Sequence, residues 1–163
     1  MSNRAFAALF VLVASGAAGC GAGKQGPDFS ACAGTPALIY EPGLARASDG
    51  GGFRATVTSA RAEGQAGSPP DDAPAIGFND WTIALTDEGG APVTELTVTA
   101  DKPRMPVHGH SASTFPTVTA QDGGVYVVGG IHFFMAGYWE VTLGLQPAAA
   151  AADRVAFPIC VPE

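Results

Sequence analysis

The chain is predicted to be all-β, an immunoglobulin-like antiparallel β-sandwich of about seven strands. Three observations predict it. Apolar residues recur at every second position over much of the chain, the period of half-buried strands. The intervening positions are rich in threonine, and clusters of Gly, Asp and Pro punctuate the runs. Beyond the first nineteen residues no stretch carries a convincing helical period. A small barrel is the other architecture that fits this pattern.

Taken in order, Phe53, Ala55 and Val57 alternate with Arg54, Thr56 and Thr58. Trp81, Ile83 and Leu85 then alternate with Thr82, Ala84 and Thr86, and Asp87-Glu88-Gly89-Gly90 marks a turn. Leu96, Val98 and Ala100 alternate with threonines. Residues 116–120 form a short strand, and Gln121-Asp122-Gly123-Gly124 turns the chain into another over 125–134. Trp139, Val141, Leu143 and Leu145 face one way while Tyr138, Glu140 and Thr142 face the other. Val155, Phe157, Ile159 and Val161 close the series and put Cys160 on the opposite face. Residues 63–80, with Pro69, Pro70, Asp71, Asp72 and Pro74, read as a solvated loop, and the alanines at 148–152 as a connection. No internal repeat is evident, and about 140 residues after the leader suit one domain with a sizeable core.

The ends carry their own information. Arg4 followed by an apolar run over residues 5–14 and then small residues has the layout of a secretory signal, too short to remain as a bilayer span. Ser15-Gly16-Ala17-Ala18-Gly19-Cys20 resembles the bacterial lipoprotein signal, which implies acylation of Cys20 after removal of residues 1–19. Residues 20–31 read as a flexible tether and 32–163 as the folded domain. With Cys20 assigned to lipid, Cys32 and Cys160 remain, and in an oxidising compartment this pair should form a disulfide joining the two ends of the domain. The parity of Cys160 suits a bond to a segment lying over the sheet. The expected location is the bacterial cell envelope, anchored by lipid and facing the periplasm or the exterior.

Eight basic residues face fifteen acidic ones, and loss of Arg4 with the leader makes the balance more acidic still. No basic cluster offsets this, so nucleic acid is set aside as a partner.

Chemistry concentrates in one region. All three histidines, and both methionines other than Met1, fall between Met105 and Met135. Imidazole nitrogen and thioether sulfur together suit copper, sulfur favouring the Cu(I) state. In an extended segment His108 and His110 project to one side, with Met105 three residues earlier and Pro106 bending the path. Gly109 allows a tight backbone that helps the rings converge. Strict alternation would put His132 and Met135 on opposite faces, so both reach one site only if the strand ends or bulges near Met135; Ala136-Gly137 looks like a hairpin turn that would allow this. The candidate ligand pool is therefore Met105, His108, His110, His132 and Met135, with a copper ion as cofactor. The competing explanation is structural: Pro106 and Gly109 meet the dihedral needs of a turn, the histidines bond to backbone, and the methionines fill the core.

The stretch Met105-Pro106-Val107-His108-Gly109-His110, taken with Trp81-Thr82-Ile83, Gly89-Gly90-Ala91-Pro92-Val93, Gly123-Gly124-Val125-Tyr126 and Met135-Ala136-Gly137-Tyr138-Trp139-Glu140, resembles the YtkA-like domain family, related to the FixH-like proteins. The resemblance covers about residues 80–145. It implies a small extracytoplasmic β-sandwich and, through the FixH-like relatives, a link to copper supply for respiratory oxidases. On this reading the protein stores or delivers copper and hands it to a receiving protein; the alternative is a non-metal structural or interaction module of the envelope.

Other chemistry fits poorly. A blue-copper site needs a thiolate beside its histidines, and both candidate cysteines sit at the chain ends. Four-cysteine zinc is excluded by count. Gly109-His110-Ser111-Ala112-Ser113 lacks the glycine spacing of a nucleophile elbow. The carboxylate pairs Asp71-Asp72 and Asp87-Glu88 occupy expected turns, and Gly50-Gly51-Gly52 has no following helix or Lys-Ser pair to cradle phosphate. The chain is accordingly not expected to be an enzyme.

Overall fold

Apolar alternation sets the strands of this chain, and the computed structural model describes them over residues 26–63 and 73–163. The expected signal peptide, the lipidation site Cys20, the tether up to residue 25 and residues 64–72 of the expected loop lie outside the described residues. Ten strands follow in order: β1 (Leu44–Ala47), β2 (Phe53–Ala62), β3 (Gly77–Asp87), β4 (Leu96–Ala100), β5 (Arg104–Met105), β6 (His110–Ser111), β7 (Thr117–Ala120), β8 (Val125–Phe133), β9 (Gly137–Pro147) and β10 (Asp153–Val161). The seven expected strands are all present, joined by β1 and the two-residue β5 and β6.

They form two antiparallel sheets. One has the order β1-β2-β3-β8-β7, the other β10-β9-β5-β6, with β4 paired to β9 along the same edge that β5 continues. The inward residues read from the sequence meet between the sheets. Trp81, Ile83, Trp139, Val141, Leu143, Val155, Phe157 and Ile159 have no exposed surface. Trp81 packs edge-on against Phe157 at 5.9 Å, and Tyr126 of β8 spans the core to donate its hydroxyl to the Leu96 carbonyl on β4 at 3.2 Å. Burial raises the pKa of that phenol above its ordinary value.

β3 starts four residues earlier than the alternation at Trp81 suggested, inside the expected loop. The reason is Asn79, a buried polar residue at an inward position. Its amide oxygen accepts from the Ala75 N–H at 3.0 Å, and its nitrogen donates to the carbonyls of Ala75 and Gly77 at 2.8 and 3.0 Å. A satisfied amide can occupy a core position that an unsatisfied one could not.

Two bulges reset strand parity. In β2 the extra residue falls at Thr58, between the pairs Val57↔Ile83 and Ser59↔Thr82, so burial passes from Val57 to Ala60. In β8 it falls at Gly129-Gly130, opposite Asp80. Gly130 takes φ +74°, open to glycine at no steric cost, and its N–H donates to the Asp80 carboxylate at 3.0 Å. Tyr126 and Val128 face inward before the bulge, Ile131 and Phe133 after it. His132 is thereby turned to the outer face.

The N-terminal segment lies against β10. Leu38 forms a parallel bridge with Ile159; its N–H donates to the Pro158 carbonyl, and its carbonyl accepts from the Cys160 N–H, both at 2.8 Å. Cys32 and Cys160 form the expected disulfide, with Cα atoms 5.9 Å apart. Residues from Asp28 onward, the end of the expected tether, are tied to the domain: the Asp28 carbonyl accepts the Glu163 N–H at 3.0 Å.

At the opposite end of the sandwich, Asp153 fastens the turn before β2 to β10. The Ser48 hydroxyl, the Gly50 N–H at 2.9 Å and the Arg154 N–H at 2.8 Å all donate to its carboxylate and hold its pKa below 3.8. A depressed carboxylate pKa adds stability above the unfolded-state value, and that stability disappears as pH falls through the folded value. Asp153→Asn should therefore lower the melting temperature slightly at pH 7, and the gap from the parent should close in melts taken below about pH 4. A gap constant from pH 7 to pH 2 would assign the loss to packing.

Candidate functional site

The Met105–His110 stretch forms a tight hairpin. Met105 pairs with His110 and Arg104 with Ser111 across β5 and β6, leaving residues 106–109 as the loop. The His108 N–H donates to the Met105 carbonyl at 3.2 Å, which closes a turn with Pro106 at its second position, where proline's fixed φ is favourable. Gly109 follows with φ +67°, a conformation that disfavours any L side chain. Proline and glycine are thus accounted for by the turn. The two histidines are not.

His108 and His110 are both exposed, with their ring centres 6.2 Å apart and planes within 8° of parallel. Neither ring is hydrogen-bonded to another described residue. Met105 lies beneath them with no exposed surface, as part of the core. Its methyl carbon comes so close to Gly137 that a β-carbon there would meet it at 3.0 Å.

The second donor segment approaches from the β8–β9 connection. β8 ends at Phe133, so Met135 is released from strand alternation as the hairpin reading required, and it is 39% exposed. Trp139, fully buried, donates its indole N–H to the Met135 carbonyl at 3.0 Å and fixes this turn. Phe134 packs edge-on against Trp139 with ring centres 4.9 Å apart.

Phe134 also separates the histidines. His110 lies on its ring at 6.4 Å, and His132 at 6.4 Å. His132 in turn stacks on its cross-strand neighbour Phe78 at 4.4 Å. The His132 Nδ1 is buried and has no hydrogen-bond partner, an exception to the rule that buried polar atoms are satisfied. Among the described residues no three His, Cys, Asp or Glu side chains gather closely enough to hold an ion. The structure therefore brings His108 and His110 together, sets His110 against Phe134, the neighbour of Met135 in the chain, keeps Met105 in the core and places His132 across an aromatic ring. Phe134 and Phe78 are the site residues that sequence reasoning did not pick out; the adjacency of Phe134 to Met135 was the available signal.

The sequence matches the YtkA-like family model over residues 56–144, more than half of the chain. The chain belongs to the YtkA-like family. The match spans the histidine hairpin, both bulges and the Met135–Trp139 turn of this YtkA-like domain. No curated protein matches the sequence. Solved structures that match it include a DUF4426 family protein from Pseudomonas aeruginosa, 12% identical with a TM-score of 0.47, covering 76% of this chain and 99% of that one. FetP from uropathogenic E. coli is 13% identical with a TM-score of 0.42, covering 76% of this chain and 97% of that one. A copper-bound variant of FetP is 11% identical with a TM-score of 0.41, covering 74% and 96%. No helix among the described residues of the YtkA-like protein is long and apolar enough to cross a membrane.

Proposed function

We propose that this YtkA-like protein is a lipid-anchored envelope domain that binds one copper ion through His108 and His110, with Met135 as thioether donor, and stores it or passes it on without catalysis. The observation that carries the reading is the exposed imidazole pair on the hairpin. An ion held at ~2.0–2.1 Å from one nitrogen of each ring keeps the two ring centres on the order of 5–6 Å apart, close to the separation already present. The donor set is two nitrogens and a sulfur, which suits copper and offers zinc one ligand it does not use. The His132 Nδ1, buried and without a hydrogen-bond partner, lies across Phe134 from this pair and stays outside the ligand set. Met105, packed under Gly137, belongs to the core in this proposal rather than to the open ligand set.

Exposure makes the test clean. Replacing both exposed histidines removes ligands and little packing, so His108→Ala/His110→Ala should melt close to the parent. In a competition titration with a Cu(I) chelator, the parent should take up one ion, and the double variant should lose affinity by more than roughly 100-fold, the upper end of what outer-shell changes alone cost. Met135→Ala should weaken Cu(I) more than Cu(II), because sulfur favours the reduced ion. Equally poor binding by parent and double variant, with equal melting, would leave only the non-metal module.

A further inference from the structure

The strand directions sort the surface into two unlike ends. Turns bearing Asp49, Asp87, Glu88, Asp122 and Asp153 all sit where β2, β8 and β10 begin and β3 and β9 finish. The other end holds the starts of β3 and β9, the finishes of β2, β8 and β10, and the histidine hairpin. Seven large apolar side chains are exposed in the described residues, and five of them, Ile76, Phe78, Val107, Phe134 and Met135, cluster at this second end with exposures from 39% to 65%. The core does not need them there. Only Phe134 packs on a buried ring, and Val107 stands at the tip of a hairpin loop.

The N-terminal segment leaves the domain at that same end. Its 3-10 turn at Ser30–Cys32 lies beside the start of β9, with the Ala31 carbonyl 3.8 Å from where a Gly137 β-carbon would be. Asp28 is held by Glu163 just past β10. From Cys20 to Gly26, where the described chain begins, six residues can reach at most ~22 Å. An acyl chain on Cys20 therefore keeps Gly26, which leads into the domain at its apolar end, within about that distance of the bilayer.

We infer that Ile76, Phe78, Val107, Phe134 and Met135 form a membrane-docking end that rests in the interfacial zone of the bilayer holding the anchor. This rests on the lipid anchor proposed above and shares Met135 with the proposed copper site. The occupant is a lipid surface because the tether confines the patch to one, and burial of apolar side chains there is favourable. The net negative charge, −7 for the full sequence and more acidic once Arg4 leaves with the leader, makes zwitterionic lipid the preferred headgroup. Docking also turns the His108–His110 pair toward the membrane, where a membrane-embedded acceptor would meet it.

The test uses the full-length protein processed in cells and reconstituted into phosphatidylcholine vesicles, with a polarity-sensitive fluorophore attached through Val107→Cys or, at the far end, Glu88→Cys. Brominated acyl chains should quench the Val107 label and blue-shifted emission should accompany it, while the Glu88 label responds to neither. Phe78→Ser should reduce the quenching, and adding anionic lipid should reduce it too. Mass spectrometry of the same sample reports the acyl groups on Cys20. An unacylated chain overturns the anchor and the docking together. An acylated chain whose Val107 label is unquenched overturns the docking alone, and a label shifted in solution without lipid gives the end to a second copy of the chain instead.

Discussion

Removing the Cys32–Cys160 bond should destabilise the domain by about 5 kcal/mol, the entropic value for a closed loop of this size. The bond joins residues 128 apart in sequence, so it constrains nearly the whole described domain in the unfolded state. In the folded state its loss changes little. The N-terminal segment keeps the two 2.8 Å backbone bonds between Leu38 and β10 and the bond from Glu163 to Asp28. The Cys160 side chain is buried on the outer face of β10, beside its cross-strand neighbour Tyr138, whose own pKa is raised first by burial and then by Glu140. Cys32→Ala/Cys160→Ala should therefore fold to the same two sheets and unfold at a midpoint lower by about 10 °C or more. Denaturant titration separates the two origins. An entropic effect leaves native circular dichroism unchanged and raises the m-value, because the unlinked unfolded chain exposes more surface. An unchanged midpoint would mean that the Leu38 bridge, and not the covalent link, sets the position of the segment.

The strands that alternation revealed are those of at least four residues with one face in the core and one in solvent. Trp81, Ile83 and Leu85 are buried, and Thr82 and Ala84 between them are not. β5 and β6, two residues each, are too short to display any period. The early start of β3 was hidden because its inward residue is Asn79, whose fitness for the core depends on loop atoms that no local pattern reports. Bulges are hidden for a related reason. Counting by twos from Tyr126 and Val128 would put His132 in the core; the Gly129-Gly130 bulge and its Asp80 contact turn it outward. For the candidate site, the histidines and methionines clustered in sequence lie at one end of the sandwich, and β9 starts at Gly137, which closes the turn after Met135. Sequence spacing could not tell that Met105 faces the core while His110, its partner across the hairpin, faces solvent. Nor could it tell that Phe134 would stand between His110 and His132, since that depends on how two sheets meet at a rim.

Trp139→Ala should be the most disruptive single change near the site, costing about 3–5 kcal/mol, as for other fully buried large aromatics. The indole joins the core to the β8–β9 turn. Its ring packs on Phe133 at 5.4 Å and edge-on to Phe134 at 4.9 Å, while its N–H holds the Met135 carbonyl. Trp139→Phe separates these roles, because it keeps most of the apolar volume and removes the donor. That variant should lose about 1 kcal/mol, the net worth of one hydrogen bond, plus a smaller packing term. Its effects should differ by location: amide exchange over residues 134–137 speeds up, while exchange in β5 and β6, which flank the loop of His108 and include His110, stays at parent rates. On the proposed ligand set the copper response follows the same division. Trp139→Phe loosens Met135 and weakens Cu(I) relative to Cu(II), and the histidine pair continues to hold the oxidised ion. Equal loss of both oxidation states in Trp139→Phe would show instead that the hairpin's geometry depends on the indole. In that case the two donor segments would act as one rigid unit rather than as a fixed pair of nitrogens with a movable sulfur.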